Sequence, residues 1–350
     1  MMYTILGCGA AGTLLCFELL QKGVDPSSIR IIDPFFDGGA LLRSWGAIYS
    51  NTTCQQIVDT LQEYTILQGL VKNLAEKYNP ANRILLSDLG HLLQKSLQLL
   101  PDDINILQDT CLSLEQTATG WKLECKTTTV TSDVVFVCIG GQQKPFDVGK
   151  PNIPLEVALD PSRLARYVQS GHRVVVFGLA HSGTLVIKSL LQLRCMISAV
   201  YKGKTPFQFA RDGHYDGIKE ESAEFATEIL HTCPPQLEMI SSSDFPKVVK
   251  AVQRATWIVP TIGFEASPIQ IRSQEGQFIS YTSYSPETAE IQENLYGFGL
   301  AYPGVTVLED GIHKDVSLPS FKSQIQRCLP AILSKIRNGL PLDGAEQNNQ

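Results

Sequence analysis

MMYTILGCGAAGTLL, residues 1–15, raises the first question about the fold of this chain. The apolar run "MYTIL" is short and compatible with a β-strand, and "TLLCFELLQKG" has the pattern of a helix that ends at a glycine. A strand, a glycine-rich turn and a helix in this order favour a dinucleotide-binding turn over a plain sharp turn. Gly7 would permit the tight turn, Gly9 the approach of a pyrophosphate, and Gly12 the packing of the helix on the strand. The predicted contact residues of this turn are Gly7, Gly9, Ala10, Ala11 and Gly12.

A second strand-like run, "SIRIIDPFF", contains an acidic residue at a fixed spacing from the glycine turn. Asp33 lies 21 residues beyond Gly12, the spacing expected of a carboxylate that accepts hydrogen bonds from ribose hydroxyls. Taken alone, Asp33 before Pro34 would suit a turn at a strand end equally well. The strand, turn, helix, strand and acid in sequence favour the cofactor role.

Composition limits the possible partners. The chain has 350 residues, 43% of them hydrophobic, which suffices for two domains or for one domain inserted into another. Its formal charge of −6 disfavours nucleic acid and anionic membranes as partners. Runs such as "RVVVFGLA" are too short to span a bilayer, and the early first strand leaves no room for a signal peptide. We expect a cytoplasmic protein that acts on a small-molecule substrate or electron acceptor, with an oligomeric state that the sequence does not reveal.

Cysteine and histidine spacing argues against metal and dithiol chemistry. The nine cysteines include no CxxC pair, and the six histidines lack metal-ligand spacing. Several cysteines sit in apolar runs such as "VVFVCIGG", where a buried, inert thiol is favoured over a reactive one. We predict no metal site and no CxxC redox centre.

A related glycine pattern returns in "HRVVVFGLAHSGTLVIKSLLQL", residues 172–193. Gly178 and Gly183 repeat the outer glycines, whereas Ala180 replaces the middle one and its methyl reduces the room for a cofactor. The next strand, "CMISAVYKGK", ends in lysines rather than in an acid, and Lys202 lies 19 residues beyond Gly183. A cation there can pair with a 2′-phosphate, which favours NADP(H), although a pair of solvated turn lysines is the alternative.

Two apolar runs, "DVVFVCIGG" and "RATWIVPTIGF", follow the two glycine turns in alternation. That order resembles the flavoproteins with two dinucleotide-binding domains, which include thioredoxin-reductase-like and flavin-containing monooxygenase-like enzymes. "GCGAAG" resembles their FAD loop, the glycines around Gly140 resemble a strand-to-loop crossing, and "GLAHSG" with Ser182 resembles the NADP loop of the monooxygenase branch.

The resemblance implies an α/β fold with two Rossmann-like domains, an FAD domain and an NAD(P) domain, the second inserted into the first. We expect the FAD domain over residues 1–155 and 263–350, and the NAD(P) domain over residues 156–262.

Further residues follow from the same resemblance. "GGALLRSWGAIYSNTTCQQIV" is similar to a flavin-lining segment, which would bring Trp45 to the flavin and Asn51 near the isoalloxazine and the nicotinamide. An ordinary loop role for Asn51 is the alternative. In "NLYGFGLAYPG", Gly299 would allow backbone approach to the flavin or its pyrophosphate, or it would serve a plain turn, and Leu300 stands where the reductase branch typically has an aspartate.

The implied function is that of an FAD-dependent oxidoreductase that passes hydride from NADPH to flavin, monooxygenase-like on a small substrate. The missing dithiol disfavours disulfide reduction, and the missing histidine of the FxGxxxH fingerprint departs from the monooxygenase pattern. The alternatives are a flavin-dependent NAD(P)H reductase or oxidase with another acceptor, and a catalytically inactive flavoprotein used for sensing or partner binding. Arg211 and His214 come after the strand-like run "CMISAVYKGK", and solvated roles are favoured for both.

Overall fold

The computed structural model describes residues 1–207, 221–280, 283–308 and 311–339. Arg211, His214 and the polar C-terminal tail lie outside the described residues. The chain forms two compact units: unit 1 combines Met1–Gly141 with Ala266–Gln350, and unit 2 is Gln142–Glu265.

Unit 1 is built on a six-stranded sheet with the strand order β17-β18-β9-β1-β2-β5. The strands are β1 (Tyr3–Leu6), β2 (Ile29–Ile32), β5 (Asn105–Leu107), β9 (Val134–Val137), β17 (Glu290–Gln292) and β18 (Leu295–Gly297). All neighbouring pairs are parallel except β17 with β18. Leu6 is in register with Ile32 and with Val137, so the carboxyl ends of β1, β2 and β9 lie side by side.

Smaller sheets and helices complete unit 1. A four-stranded sheet contains β6 (Cys111–Thr117), β7 (Gly120–Cys125), β8 (Thr129–Ser132) and β16 (Gln270–Arg272), and two pairs are β3 (Tyr49–Thr53) with β4 (Arg83–Leu85) and β19 (Gly304–Leu308) with β20 (Gly311–Asp315). The α-helices are α1 (Ala10–Gln21), α2 (Ala40–Arg43), α3 (Cys54–Leu61), α4 (Gln68–Lys77), α5 (Leu86–Leu97) and α11 (Leu318–Gly339), with short 3₁₀ turns at Pro26–Ser28 and Thr65–Leu67.

Unit 2 has a four-stranded parallel sheet with the order β13-β12-β11-β14. Its strands are β11 (Arg173–Phe177), β12 (Met196–Tyr201), β13 (Leu237–Ser241) and β14 (Trp257–Pro260), and its helices are α6 (Leu155–Ala158), α7 (Pro161–Leu164), α8 (His181–Gln192), α9 (Glu221–Thr232) and α10 (Phe245–Arg254). A short pair, β10 (Gly141–Gln143) with β15 (Phe264–Ala266), marks the two ends of this segment.

Unit 2 begins before residue 155, where the sequence placed the change of domain. Phe146 and Val148 pack on an apolar cluster of unit 2 that contains Val175 and Ile258. Asn152 forms a parallel bridge with Ile258 as well. Residues 142–155 are therefore held by the inserted unit, because their apolar side chains are covered there.

The central strands β1 and β9 of the large sheet are buried along their whole length, because both of their faces are covered. Ile5 and Phe136 face the cluster formed with α1, α5 and α11. Leu6 and Val137 face the opposite cluster, which includes Trp121 of the smaller sheet. A strand with both faces buried reads as a continuous hydrophobic run, which is the pattern of β1 and β9 in the sequence.

A buried polar network links α1, α11 and the segment after α3. Glu18 is 1% exposed, and its carboxylate accepts hydrogen bonds at 2.8 Å from the Tyr64 hydroxyl and from the Gln326 amide. Lys322 donates to the Thr60 carbonyl at 2.6 Å and forms an ion pair of 2.7 Å with the exposed Glu63. Each buried polar group here has a partner, which burial demands.

Tyr64→Phe removes one of the two donors to the buried Glu18 carboxylate. We expect a loss of about 1–3 kcal/mol in the free energy of unfolding, because a desolvated carboxylate would lose a hydrogen bond without gaining water. Chemical denaturation measures the change. Tyr49→Phe is the matched control, since Tyr49 is 51% exposed, and equal effects of the two substitutions would contradict the role given to Glu18.

Within the described ranges, no helix is both long and apolar enough to cross a membrane. The same residues contain no grouping of three or more His, Cys, Asp or Glu side chains suited to a metal ion.

Candidate dinucleotide sites

The turn between β1 and α1 requires glycine at two positions for the fold itself. Gly7 has φ +90°, and a Cβ placed on it would lie 2.6 Å from the Cys138 carbonyl oxygen. A Cβ on Gly12 would lie 1.9 Å from the Gly7 carbonyl oxygen. The Gly7 N–H donates to the Ile32 carbonyl at 2.8 Å, which fixes the turn at the edge of the sheet. Gly7 and Gly12 therefore let α1 pack directly on β1.

Gly9 stands in a different environment. It precedes α1 in an extended conformation with φ −77°, which any residue can adopt, and the nearest atom to an added Cβ is the Gly39 Cα at 3.9 Å. No side chain caps the helix that starts at Ala10. The space at Gly9 and the uncapped helix start that includes Ala11 fit a dinucleotide pyrophosphate, which needs close backbone approach and free N–H donors.

Asp33 lies at the carboxyl end of β2, beside the glycine turn. Its Oδ2 accepts a hydrogen bond of 2.8 Å from the Cys8 N–H, and its Oδ1 accepts from the N–H groups of Phe35 and Phe36 at 2.8 and 2.9 Å. A carboxylate offers about four acceptor positions, so these three bonds leave room for a ribose hydroxyl. Asp33 thus also braces the glycine turn, a role that spacing alone did not indicate.

Other predicted glycines meet the same edge of the sheet. Gly299 has φ +86°, and a Cβ on it would lie 2.6 Å from the Ala11 Cβ, so the segment after β18 lies against the first turn of α1. Gly140, after β9, has φ +72° and open space around its Cα. The structure therefore brings Gly299 to the glycine turn and leaves Gly140 open beside β9.

Trp45 and Asn51 lie in the segment between α2 and α3. Trp45 is half-buried just after α2, and its backbone N–H donates to the Ala40 carbonyl at 3.1 Å. Asn51 is half-buried in an irregular part of the β3/β4 pair, and within the described residues its side chain makes no hydrogen bond. Gly39, which sequence reasoning missed, joins this segment to the site, because a Cβ on it would lie 2.9 Å from the Gly9 Cα. The double glycine before Ala40 was the available signal.

Unit 2 repeats the arrangement around its own glycine turn. Gly178 has φ +96°, and a Cβ on Gly183 would lie 2.1 Å from the Gly178 carbonyl oxygen. Ala180 precedes α8 with φ −84° and ψ −163°, close to the values of −77° and −161° at Gly9. Alanine thus fits the backbone of this turn, and its exposed methyl takes up space that is open at Gly9. Ser182 lies half-buried in the first turn of α8.

The two turns share one backbone register. The Gly178 N–H donates to the Val200 carbonyl at 2.8 Å, as the Gly7 N–H does to Ile32. The residue after that carbonyl is Asp33 in unit 1 and Tyr201 in unit 2, and the exposed Lys202 comes next. At the position that Asp33 occupies in unit 1, unit 2 therefore has Tyr201, and the cationic Lys202 follows it directly.

Thr261 supports the second turn and was missed from the sequence. Its hydroxyl lies 2.9 Å from the Phe177 carbonyl and 2.7 Å from the Gly178 carbonyl, and it can donate to one of them at a time. Cys138 holds the matching place beside Gly7. Each of these residues is followed two positions later by a glycine with positive φ, Gly140 at +72° and Gly263 at +91°. That repeated spacing was the signal in the sequence.

The thiols around the first turn are protonated at neutral pH. Burial raises the pKa of Cys16 to about 12 and raises the pKa of Cys8 and Cys138 well above the ordinary thiol value. A thiol held in its neutral form is a poor nucleophile, so these cysteines serve packing.

Gly9→Ala and Gly12→Ala separate binding from folding. Gly12→Ala places a Cβ within 1.9 Å of a backbone oxygen, so we expect loss of folded protein, seen by circular dichroism and thermal unfolding. The added methyl of Gly9→Ala meets no close atom, so we expect this variant to fold. Its affinity for FAD should fall at least about tenfold, because the methyl enters the space of the pyrophosphate. FAD affinity equal to that of the parent chain in Gly9→Ala would contradict the placement of the pyrophosphate.

Comparison with known proteins gives the fold a wider setting. No family model matches the chain. The monooxygenase AgnR1 of Paecilomyces divaricatus is 22% identical over 355 aligned residues, with coverage of 85% of this chain and 89% of that protein.

Solved structures share the architecture across nearly the whole chain. The bacillithiol disulfide reductase Bdr (YpdA) of Staphylococcus aureus matches with a TM-score of 0.63 at 12% identity, over 96% of this chain and 98% of that one. The lysine monooxygenase NbtG of Nocardia farcinica matches with a TM-score of 0.57 at 12% identity, over 93% and 99%. Lactococcus lactis thioredoxin reductase matches with a TM-score of 0.55 at 9% identity, over 96% and 99%. These matches confirm the predicted fold and the resemblance from which it came: the chain has the α/β fold of the two-domain flavoprotein oxidoreductases, with one Rossmann-like domain inserted into the other.

Proposed function

We propose that this chain is an FAD-dependent oxidoreductase that takes hydride from NADPH and acts like a monooxygenase on a small substrate. The observation that carries the proposal is the repetition of one backbone arrangement, in which Gly7 with Ile32 and Gly178 with Val200 form the same turn at two sheet edges. Two such turns suit two dinucleotides. The monooxygenase relative and the fold shared with a lysine monooxygenase support the same direction.

In the proposal, unit 1 holds FAD. When both cofactors are bound, they supply the redox chemistry, in which NADPH reduces the flavin and the flavin passes electrons to dioxygen or another acceptor. The uncapped start of α1 donates N–H groups to the pyrophosphate, and Asp33 accepts a ribose hydroxyl with its remaining acceptor position. The glycines of this site have no side chain and would leave room for the cofactor to approach the backbone. The residues assigned to FAD are Gly7, Gly9, Ala10, Ala11, Gly12, Asp33, Trp45, Gly140 and Gly299.

Unit 2 holds NADP(H) in the same proposal. The start of α8, with Gly178, Ala180, Ser182 and Gly183, receives the pyrophosphate. Lys202 receives the 2′-phosphate, because it is exposed directly after the position where unit 1 has its carboxylate. The absence of an acid at Tyr201 removes the charge that would repel a phosphate there.

Asn51 is proposed as the side chain that orients the reacting part of the flavin. Its amide is half-buried and makes no other hydrogen bond within the described residues, so both its donor and its acceptor are available. An amide can serve either partner of a hydrogen bond, which suits a ring whose protonation changes with its redox state.

A flavin-dependent NAD(P)H reductase or oxidase is the second candidate. The chain lacks the histidine of the FxGxxxH fingerprint, and its fold is shared with a disulfide reductase and a thioredoxin reductase. Within this candidate a quinone, a protein or dioxygen accepts the electrons. Disulfide reduction at the flavin stays disfavoured, because the sequence has no CxxC pair.

The first experiment is an absorbance spectrum of the FAD-reconstituted full chain before and after anaerobic addition of NADPH. Bands of oxidised flavin that bleach on addition support the electron path. Flavin bands that stay unchanged would sink the oxidoreductase proposal and favour a sensing or binding protein. An absence of flavin bands would overturn the FAD assignment.

Aerobic turnover separates the two enzyme candidates. Oxygen from labelled dioxygen incorporated into a small amine, thioether or ketone supports the monooxygenase. NADPH consumption that yields only hydrogen peroxide, or only a reduced added acceptor, favours the reductase or oxidase.

Lys202→Ala tests the choice of nicotinamide cofactor. We expect the KM for NADPH to rise roughly 10- to 100-fold, because a charge-assisted hydrogen bond to the 2′-phosphate is lost, while the KM for NADH changes little. Lys250→Ala is the control, since Lys250 is an exposed lysine on α10 of the same unit. Equal changes for NADPH and NADH in Lys202→Ala would contradict the assignment.

Asn51→Ala tests the proposed flavin contact. We expect product formed per NADPH consumed to fall roughly fivefold, the value of one hydrogen bond, while anaerobic flavin reduction keeps its rate. Stopped-flow absorbance and product quantification measure the two quantities. Asn105→Ala, on the exposed side of β5, is the control, and an unchanged product ratio in Asn51→Ala would leave Asn51 as an ordinary loop residue.

A further inference from the structure

The four-stranded sheet of unit 1 brings together two cysteines that lie 14 positions apart in the sequence. Cys111 begins β6 and Cys125 ends β7, and the antiparallel register pairs them directly. The Lys126 N–H donates to the Thr110 carbonyl at 3.0 Å, and the Cys125 N–H points away from β6 and donates to the Thr128 carbonyl at 2.9 Å. The two cysteines therefore occupy a non-hydrogen-bonded position of the β6/β7 ladder.

That position has the dimensions of a disulfide. The Cα atoms of a non-hydrogen-bonded antiparallel pair lie about 4.5 Å apart, and disulfides span Cα separations of about 4.4–6.8 Å. The register also shifts between Cys111 and Ser113, which gives the backbone of β6 slack to adjust. Each of the two thiols shifts the pKa of the other, so they lie within range of one another, and the Cys111 thiol donates to the Ser113 carbonyl at 3.5 Å.

The surroundings distinguish the two sulfurs. Both side chains pack against the apolar cluster that contains Trp121, and this burial raises the pKa of both thiols. At Cys125, the Asp109 carboxylate raises the pKa further, whereas the neighbouring Cys111 thiol and the Arg30 guanidinium lower it. Cys111 carries no such cation and gives up its proton less readily. The nearby cation makes Cys125 the sulfur that we expect to react first, and the raised pKa of both thiols makes that reaction slow at neutral pH.

We propose that Cys111 and Cys125 are an oxidative modification site, at which hydrogen peroxide converts the two thiols into a disulfide across the β6/β7 hairpin. The Cys125 sulfur attacks one peroxide oxygen, the O–O bond breaks, and one water leaves with the proton of that thiol, which makes a sulfenic acid. The Cys111 sulfur then attacks the Cys125 sulfur, the S–O bond breaks, and a second water leaves with the Cys111 proton. The two thiols lose two electrons, and the peroxide gains them.

This inference does not depend on the proposed function. The peroxide is added as a reagent, so the reaction needs neither FAD nor NADPH. A flavin spectrum that failed to bleach would leave this site untouched, and an absence of the disulfide would leave the flavin chemistry untouched.

The test uses the full chain with Cys233→Ser, which removes the exposed thiol. After hydrogen peroxide treatment, we expect the intact mass to fall by two hydrogen atoms and a tryptic map to link the Cys111 and Cys125 peptides. Dithiothreitol should reverse the change. Adding Cys111→Ser should abolish the linkage and leave Cys125 with added oxygen instead. The oxidised chain should unfold at a higher temperature than the reduced chain, because the cross-link restricts the unfolded state.

Two results would overturn the proposal. One is the absence of the Cys111–Cys125 link at a peroxide concentration that fully oxidises Cys233 in the parent chain. The other is a link that joins either residue to a different cysteine. If Cys111→Ser disturbs folding by circular dichroism, Cys125→Ala serves as the second variant, and it should show no mass loss of two hydrogens.

Discussion

The close packing of α1 on β1 is the constraint on which unit 1 depends. A side chain at Gly12 would lie within 1.9 Å of the Gly7 carbonyl oxygen, so the helix reaches its place only because that side chain is missing. From this placement follow the open backbone at Gly9, the bond between Asp33 and the turn, and the contact of Gly299 with Ala11. The packing of α1 and the proposed pyrophosphate position thus depend on the same few atoms, and an added Cβ at Gly9 meets no atom closer than 3.9 Å.

In unit 2, α8 packs closely on β11 in the same way, but different side chains surround the turn. Its turn has the same pair of glycines, but Thr261 supports it with a hydroxyl where unit 1 has Cys138. Tyr201 and Lys202 follow the strand where unit 1 has Asp33. Because the backbone register is common to both units, the differences lie almost entirely in side chains that would face a ligand. The shared backbone would let one type of turn serve both of the proposed cofactors.

Local patterns in the sequence predicted the features that local geometry controls. Strand, glycine turn, helix and acid have fixed spacings because each is set by its neighbours along the chain. The sequence therefore predicted the tight turn at Gly7 and the helix packing at Gly12, whereas the cofactor roles of these glycines and of Asp33 stay predictions. Gly39, Thr261 and the Cys111–Cys125 pair depend on which strands become neighbours, and no short stretch of sequence contains that information. The search for CxxC spacing overlooked the cysteine pair because a hairpin register, rather than a helical turn, brings the two residues together. The start of unit 2 was placed late for the same reason, since the packing of Phe146 is a tertiary choice.

The insertion of unit 2 also sets the order in which the chain can fold during synthesis. Unit 2 is complete once Glu265 has left the ribosome, whereas unit 1 still lacks β17, β18 and α11 at that moment. Until β18 is made, the strand edge of β9 that pairs with it, including Val135 and Phe136, has no partner. An unpaired apolar edge invites association with other chains. The finished inserted domain therefore emerges while its host is at its most vulnerable to aggregation, and chaperone demand should be greatest in that interval.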